Sequence, residues 1–89
     1  MRAVITVIGT DKIGIIAGVS TILAEANVNI LDITQTTMQE LFTMIMLVDI
    51  ASSNLDFETL SAKLAGRGDE MGLKIRIQHE DIFKSMHEI

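Results

Sequence analysis

Residues 2–8 (Arg-Ala-Val-Ile-Thr-Val-Ile) and 41–50 (Leu-Phe-Thr-Met-Ile-Met-Leu-Val-Asp-Ile) are apolar on both phases of the two-residue alternation. A strand with one wet face alternates apolar and polar side chains. A stretch that does not alternate reads as a strand covered on both faces. This constrains the fold more than any other feature, because it asks for a sheet with these two strands inside it and material on either side.

The intervening segments supply the connections. Gly9-Thr10-Asp11-Lys12-Ile13-Gly14 breaks the first strand with two glycines and a capping-type residue. From Ile15 the period lengthens, with Ile15, Ile16, Val19, Ile22, Leu23 and Ala26 at spacings of three and four. That predicts an amphipathic helix leaving at Asn27 or Asn29, with Gly18 permitting close packing. Residues 28–37 read as a strand whose far half, Thr34-Gln35-Thr36-Thr37, is polar. Met38-Gln39-Glu40 holds no turn signal, so a hairpin there follows from element order alone. Ser52-Ser53-Asn54 is a loop and cap signal before a second helix with Phe57, Leu60, Leu64 and Met71 at helical spacing. Gly66 and Gly68 each cost a helix about 1 kcal/mol relative to Ala, which predicts fraying or an end near Ala65. Leu73–Gln78 alternates as a one-sided strand, and Ile82, Phe83, Met86 and Ile89 mark a short tail helix.

The order β-α-β-β-α-β over a single domain, residues 1–89, predicts an α+β ferredoxin-like βαββαβ sandwich. Its four-stranded antiparallel sheet has order 4-1-3-2, with two helices on one face and a short C-terminal helix. The strands apolar on both phases are then the central pair. The polar-ended second strand and the Lys/Arg-bearing fourth are the edges. The face away from the helices should be polar in a monomer, and in strands 1 and 3 it is not. A second copy or the tail helix is the simplest cover. Hydrophobic residues make up 48% of the chain and six glycines add to them, a surplus that points to a homo-oligomer, dimer or higher.

Composition removes several functions. There is no cysteine, so disulfides, thiolate metal sites and cysteine nucleophiles are excluded. A net charge of −5 with three Phe and no Trp or Tyr lacks the cations and stacking surface of a nucleic-acid binder. No apolar run reaches 18 residues, and residues 1–8 make a poor secretory signal, so the chain reads as soluble and cytoplasmic, off the membrane. An acylphosphatase-like phosphate cradle needs an Arg that Gly9–Val19 does not hold. No Ser–His–Asp set, HExxH or Walker loop is present, which predicts a protein that is not an enzyme and needs no cofactor. His79-Glu80-Asp81 with His87 has metal-capable chemistry, but its spacing fits no ligand pattern and no metal site is expected.

Ligand chemistry is left to the first loop. Gly14 lets a ligand approach the backbone, and the N–H groups opening the first helix suit a carboxylate. Asp11 serves either as a helix cap or as the partner of an ammonium group. Asn27 and Asn29 either end a helix or offer a donor and an acceptor. An α-amino acid carries that pairing of charges.

The opening Thr6-Val7-Ile8-Gly9-Thr10-Asp11-Lys12-x-Gly14-Ile15, followed by Ala24-Glu25-x-Asn27-Val28-Asn29-Ile30, resembles the ACT domain. This is the regulatory ligand-binding module of many amino-acid-metabolism enzymes. The likeness runs on through Met44–Asp49, Gly72–Arg76 and Glu80–Phe83, nearly the whole chain. It is similar in particular to small stand-alone single-ACT proteins of bacteria and archaea, and related to the ACT-repeat repressor of the glycine cleavage system. The resemblance implies a domain that pairs with itself and binds an amino acid or similar small metabolite between two copies. Contacts would come from the first loop of one copy and the end of helix 1 of the other: Asp11, Lys12, Gly14, Ile15, Asn27, Asn29 and Ile30. Members usually have Pro where this chain has Ile13, so the loop lacks a fixed φ at the helix start. The function expected is a non-enzymatic regulatory binding module. The alternative is a protein-interaction ACT domain without a working ligand site.

Overall fold

In the computed structural model, which describes residues 1–87, nine consecutive residues form strand β1 (Arg2–Thr10). Helix α1 (Ile15–Glu25), strands β2 (Asn29–Met38) and β3 (Leu41–Asp49), helix α2 (Phe57–Met71), strand β4 (Leu73–His79) and helix α3 (Glu80–His87) follow. The His87 side chain and Ile89, both part of the expected tail, lie outside the described residues.

All strand pairs are antiparallel, and the sheet order is β2-β3-β1-β4, the expected ferredoxin-like arrangement. β1 is paired along both edges, with Ile5 opposite Met46 on one side and Ile77 on the other. Ala3, Ile5 and Val7 point to one face with Met44, Met46 and Val48, and all six are fully buried there beneath α1 and α2. The alternate residues Val4, Thr6 and Ile8 point to the opposite face.

The first helix ends as its asparagine suggests. Asn27 sits at φ 60, with its N–H on the Ala24 carbonyl and the Val28 N–H on that of Leu23. This is a Schellman motif, which satisfies carbonyls that a helix terminus otherwise leaves open. Ile16 departs from expectation. It stands exposed because Ile15, Val19 and Leu23 already fill the stripe facing the sheet. Gly18 is buried as expected: a Cβ there would lie 3.1 Å from Arg67 Nε and 3.3 Å from Met71 Sδ.

The second helix is a correction. It does not end near Ala65 but runs to Met71 and closes on Gly72 in the left-handed region at φ 70. Its cap is Asp56, whose carboxylate accepts the Thr59 N–H at 2.7 Å, rather than the Ser52-Ser53-Asn54 stretch. Packing outweighs the helical cost of Gly68, because α2 lies so close on β4 that a Cβ there would meet the Leu73 carbonyl at 2.8 Å. The β2–β3 hairpin turns through Gln39 at φ 55 without a glycine.

The two glycines should therefore answer to alanine with opposite signs. Gly66 is exposed, with open space where an alanine methyl group would stand, so Gly66→Ala should raise unfolding stability by up to about 1 kcal/mol. Gly68→Ala should lower it by about 1–3 kcal/mol through overpacking. Urea denaturation of both variants checks the pair.

Candidate functional site

The first loop leaves β1 tied to the neighbouring hairpin, since the Asp11 N–H donates to the Glu40 carbonyl at 2.8 Å. Gly14 is the N-cap of α1 at φ 92, with nothing within 4 Å of where a Cβ would stand. No side chain caps the helix and its first turn holds no acidic residue. Asp11 is thus not the cap, a role the left-handed Gly14 takes three residues later. The first intrahelical bond runs from the Gly18 N–H to the Gly14 carbonyl. The N–H groups of the first turn accordingly have no intrahelical acceptor and no side-chain cap, and carry the positive end of the helix dipole.

Other members of the expected set have work inside the chain. The Lys12 ammonium donates to the Met71 carbonyl at the C-terminus of α2, where a cation is favoured. Ile15 keeps only 2% of its surface and belongs to the core, so its side chain is not available at the surface. Ile30 packs on the core's margin. Asn27 Nδ2 donates to the Ser52 carbonyl at 3.0 Å, and Asn54 Nδ2 to the Glu25 carbonyl. Asn29 is exposed opposite Asp49, which in turn stands opposite Arg2 across the sheet.

These registers decide the geometry. Asp11 and Gly14 follow the C-terminal end of β1, whereas Asn27 and Asn29 stand level with its N-terminal end. Eight residue steps separate the two, about 26 Å along the sheet. One chain does not bring the expected contacts together. A depression of about 390 Å³ beside Gly14 includes Arg67 and Glu25, charges of the signs an amino acid needs. Gly14 and Glu25, however, are about 16 Å apart along the helix, too far for the two charges of one α-amino acid.

Arg67, Glu40 and Met71 were invisible as parts of this region in the sequence, because each reaches it through tertiary packing. Ser52 and Asn54 did carry a cap signal, but for the end of α1 rather than the start of α2. His79 stacks on Phe57, ring centroids 4.3 Å apart. Among the described residues no group of three His, Asp or Glu side chains is placed to hold a metal ion, and no helix is long and apolar enough to cross a membrane.

Three carboxyls, of exposed Asp56 and half-buried Asp49 and Glu80, are held below their usual range. At Asp56 the cause is its bonds to Thr59, at Asp49 the Ala51 N–H and then the N-terminal ammonium, and at Glu80 the bond to Arg2. A depressed folded pKa adds stability above the unfolded value and loses it as pH falls through the folded one. Their contribution should thus be constant near neutrality and fall away below about pH 4. Glu80→Gln should flatten part of that fall in urea titrations taken from about pH 5 to pH 2.

A family model described as the ACT domain matches residues 2–78. A UPF0237 protein of Methanocaldococcus jannaschii is 57% identical over 88 residues, covering 99% of this chain and 98% of that one. Among solved structures, an ACT domain protein from Streptococcus pneumoniae superposes with a TM-score of 0.80 at 44% identity, covering 94% of each chain. A structure assigned to a glycine cleavage system transcriptional repressor superposes with a TM-score of 0.74 at 27% identity, covering 86% of this chain and 44% of that one.

Proposed function

The chain belongs to the ACT domain family, and on that premise we propose that it is a non-enzymatic regulatory module binding an amino acid or similar small metabolite between two copies of itself. The observation that carries this reading is the separation of about 26 Å between the first loop and the Asn27–Asn29 end within one chain. A site using both halves needs a second copy.

The free edge of β2 offers the way to build it. β2 runs parallel to β1, since both are antiparallel to β3. Its edge is ten residues long with a single charge, Asp32, and no Lys or Pro to guard it. The β4 edge, by contrast, carries Lys74 and Arg76. Pairing two β2 edges antiparallel about a two-fold axis through the sheet keeps all helices on one face. It also swaps ends, so the partner's Asn29 arrives at the Met38 end of β2. The first loop stands at that end, anchored by the Asp11–Glu40 bond. A ligand carboxylate would then lie on the α1 N-terminus, its ammonium on Asp11, and its remaining polar atoms on the partner's Asn29.

Binding of this kind is linked to assembly. A ligand at about one hundred times its Kd stabilises the paired form by about 2.7 kcal/mol per site. A second reading, an interaction domain without a ligand, draws on Ile13, which replaces the usual Pro and stands fully exposed at the loop tip.

A thermal-shift screen against the twenty amino acids at millimolar concentration separates the two. The binding reading expects a concentration-dependent rise in Tm for at least one, and flat curves throughout would favour the interaction domain. Gly14→Val should abolish the response while leaving assembly largely intact. It should also cost stability, since a non-glycine residue in the left-handed region loses about 1–2 kcal/mol. Asn27→Gly keeps the left-handed cap but loses the bond to the Ser52 carbonyl, so it should cost about 0.5–1.5 kcal/mol without unfolding the chain. Asn29→Ala, at an exposed position, should weaken the response if that side chain meets the ligand.

A further inference from the structure

β4 has one neighbour in the sheet, β1, and its other edge is free. A hollow of about 660 Å³ follows β4 from Leu73 to Gln78 and opens on both faces of the sheet. On one face its wall is Ser61, Ala65 and Asp69 of α2. On the other it is Phe83 and Met86 of α3, beside Lys74 and Arg76 of β4 itself. The two helices are on opposite faces. α2 packs on Ile75, whose Cγ1 would lie 3.0 Å from a Cβ on Gly68, whereas Gln78, of the other phase, brings Nε2 to 3.2 Å from Met86 Sδ. Ser61 and Ala65 are small, so no long side chain fills the space beside the edge at those two positions of α2.

We propose that this edge is the docking site for an extended acidic segment of another protein, which adds to the sheet beside β4 as a fifth strand. A free edge offers a row of backbone N–H and C=O groups without partners. An extended peptide takes up such a row while its side chains alternate between the two faces. A hollow open to both faces is the space that this alternation requires. One phase of the guest meets the small residues of α2. The other stands opposite Lys74 and Arg76, which share a face two residues apart. That separation, about 7 Å, is also the spacing of alternate side chains in the added strand, so carboxylates at every second position of the guest pair with both cations.

Charge selects the occupant. Among the described residues neither Lys74 nor Arg76 has an ion-pair partner, and both are exposed. α3 adds Asp81 and Lys84, which offset each other, so the two β4 cations set the sign on their face. Asp69 stands on the α2 wall, on the other face, and asks for an uncharged phase there. Opposite charges across a strand pair are favourable and like charges unfavourable. β4, Leu-Lys-Ile-Arg-Ile-Gln-His, holds no acid, so two β4 edges brought together would set cations against cations. The charge that guards this edge against another copy thus suits it to an acidic guest. The proposal does not rest on the ligand reading, since β4 and β2 are opposite ends of the sheet.

NMR titration and amide hydrogen exchange of the full chain test the proposal, with two blocked heptapeptides as probes, one alternating Val and Glu and one alternating Val and Lys. The Glu peptide should shift the amide signals of Leu73–His79 and slow the exchange of those β4 N–H groups that do not pair with β1. It should bind about tenfold more tightly than the Lys peptide. Lys74→Glu combined with Arg76→Glu, both at exposed positions, should keep the far-UV circular dichroism of the parent and reverse the preference. The proposal is overturned by unmoved β4 signals at millimolar Glu peptide, by equal binding of the two peptides, or by an unreversed preference in a folded double variant. Shifts without slowed exchange also overturn it, as they mean a contact of charges without an added strand. Slow exchange of the same β4 groups in the chain alone, at doubled mass, would give the edge to a second copy instead. Flat thermal-shift curves with the twenty amino acids alongside a bound Glu peptide would remove the ligand reading and leave this one standing.

Discussion

Everything in this molecule is hung on β1. It is hydrogen-bonded along both edges, to β3 and to β4, while its side chains serve both faces. Ala3, Ile5 and Val7 anchor the core beneath the helices, and Val4, Thr6 and Ile8 form the floor of the opposite face. Such a strand is apolar toward both faces, with Val4 buried on the second and Ile8 exposed there, which is why its sequence does not alternate. The same demand fixes its neighbours. β3 has to be apolar toward the helices and tolerant of cover on the other side, and its alternation of buried Phe42, Met44, Met46 and Val48 with exposed or half-buried Leu41, Thr43, Ile45 and Leu47 meets both needs.

That explains why the sheet was legible in the sequence. The burial demands on β1 and β3 act residue by residue, so they leave a local pattern, and that pattern agrees with the order 4-1-3-2 usual for a βαββαβ chain, which puts these two strands in the middle. The length of α2 was not legible in the same way. Local propensity argues against a helix through Gly66 and Gly68, yet the α2–β4 contact at Gly68 needs a residue without a Cβ. A glycine that weakens a helix in isolation is what lets this one dock, and no local rule separates those two meanings.

The candidate site was legible as a motif and opaque as a geometry. Asp11, Gly14, Asn27 and Asn29 stand out as residue types, but the sequence does not tell which atoms remain available. Lys12 reaches α2, and Asn27 reaches Ser52, across 59 and 25 residues of chain. Ile15 is spent on the core. What survives is backbone: an uncapped helix terminus behind a left-handed glycine. Side-chain roles depend on tertiary reach, whereas the need for Gly14 depends only on φ, and so Gly14 is the residue whose meaning carries from sequence to structure unchanged.

A chain of 89 residues leaves little room for a deep cavity beside its one core. The proposed reading divides the site between copies, and on that reading the cost of doing so is also its use. When neither chain holds both halves, affinity depends on how much of the protein is paired, and pairing depends on how much ligand is present. The two must respond to each other by the same factor. A stability of a few kcal/mol at the β2 edge, comparable to what a ligand contributes at about a hundredfold its Kd, is the regime in which a metabolite concentration becomes an assembly state. An edge sealed by many charges, like that of β4, or a much tighter edge would lose that sensitivity. On the proposed reading, the sparsely guarded Thr34–Thr37 stretch would serve as such a pairing surface.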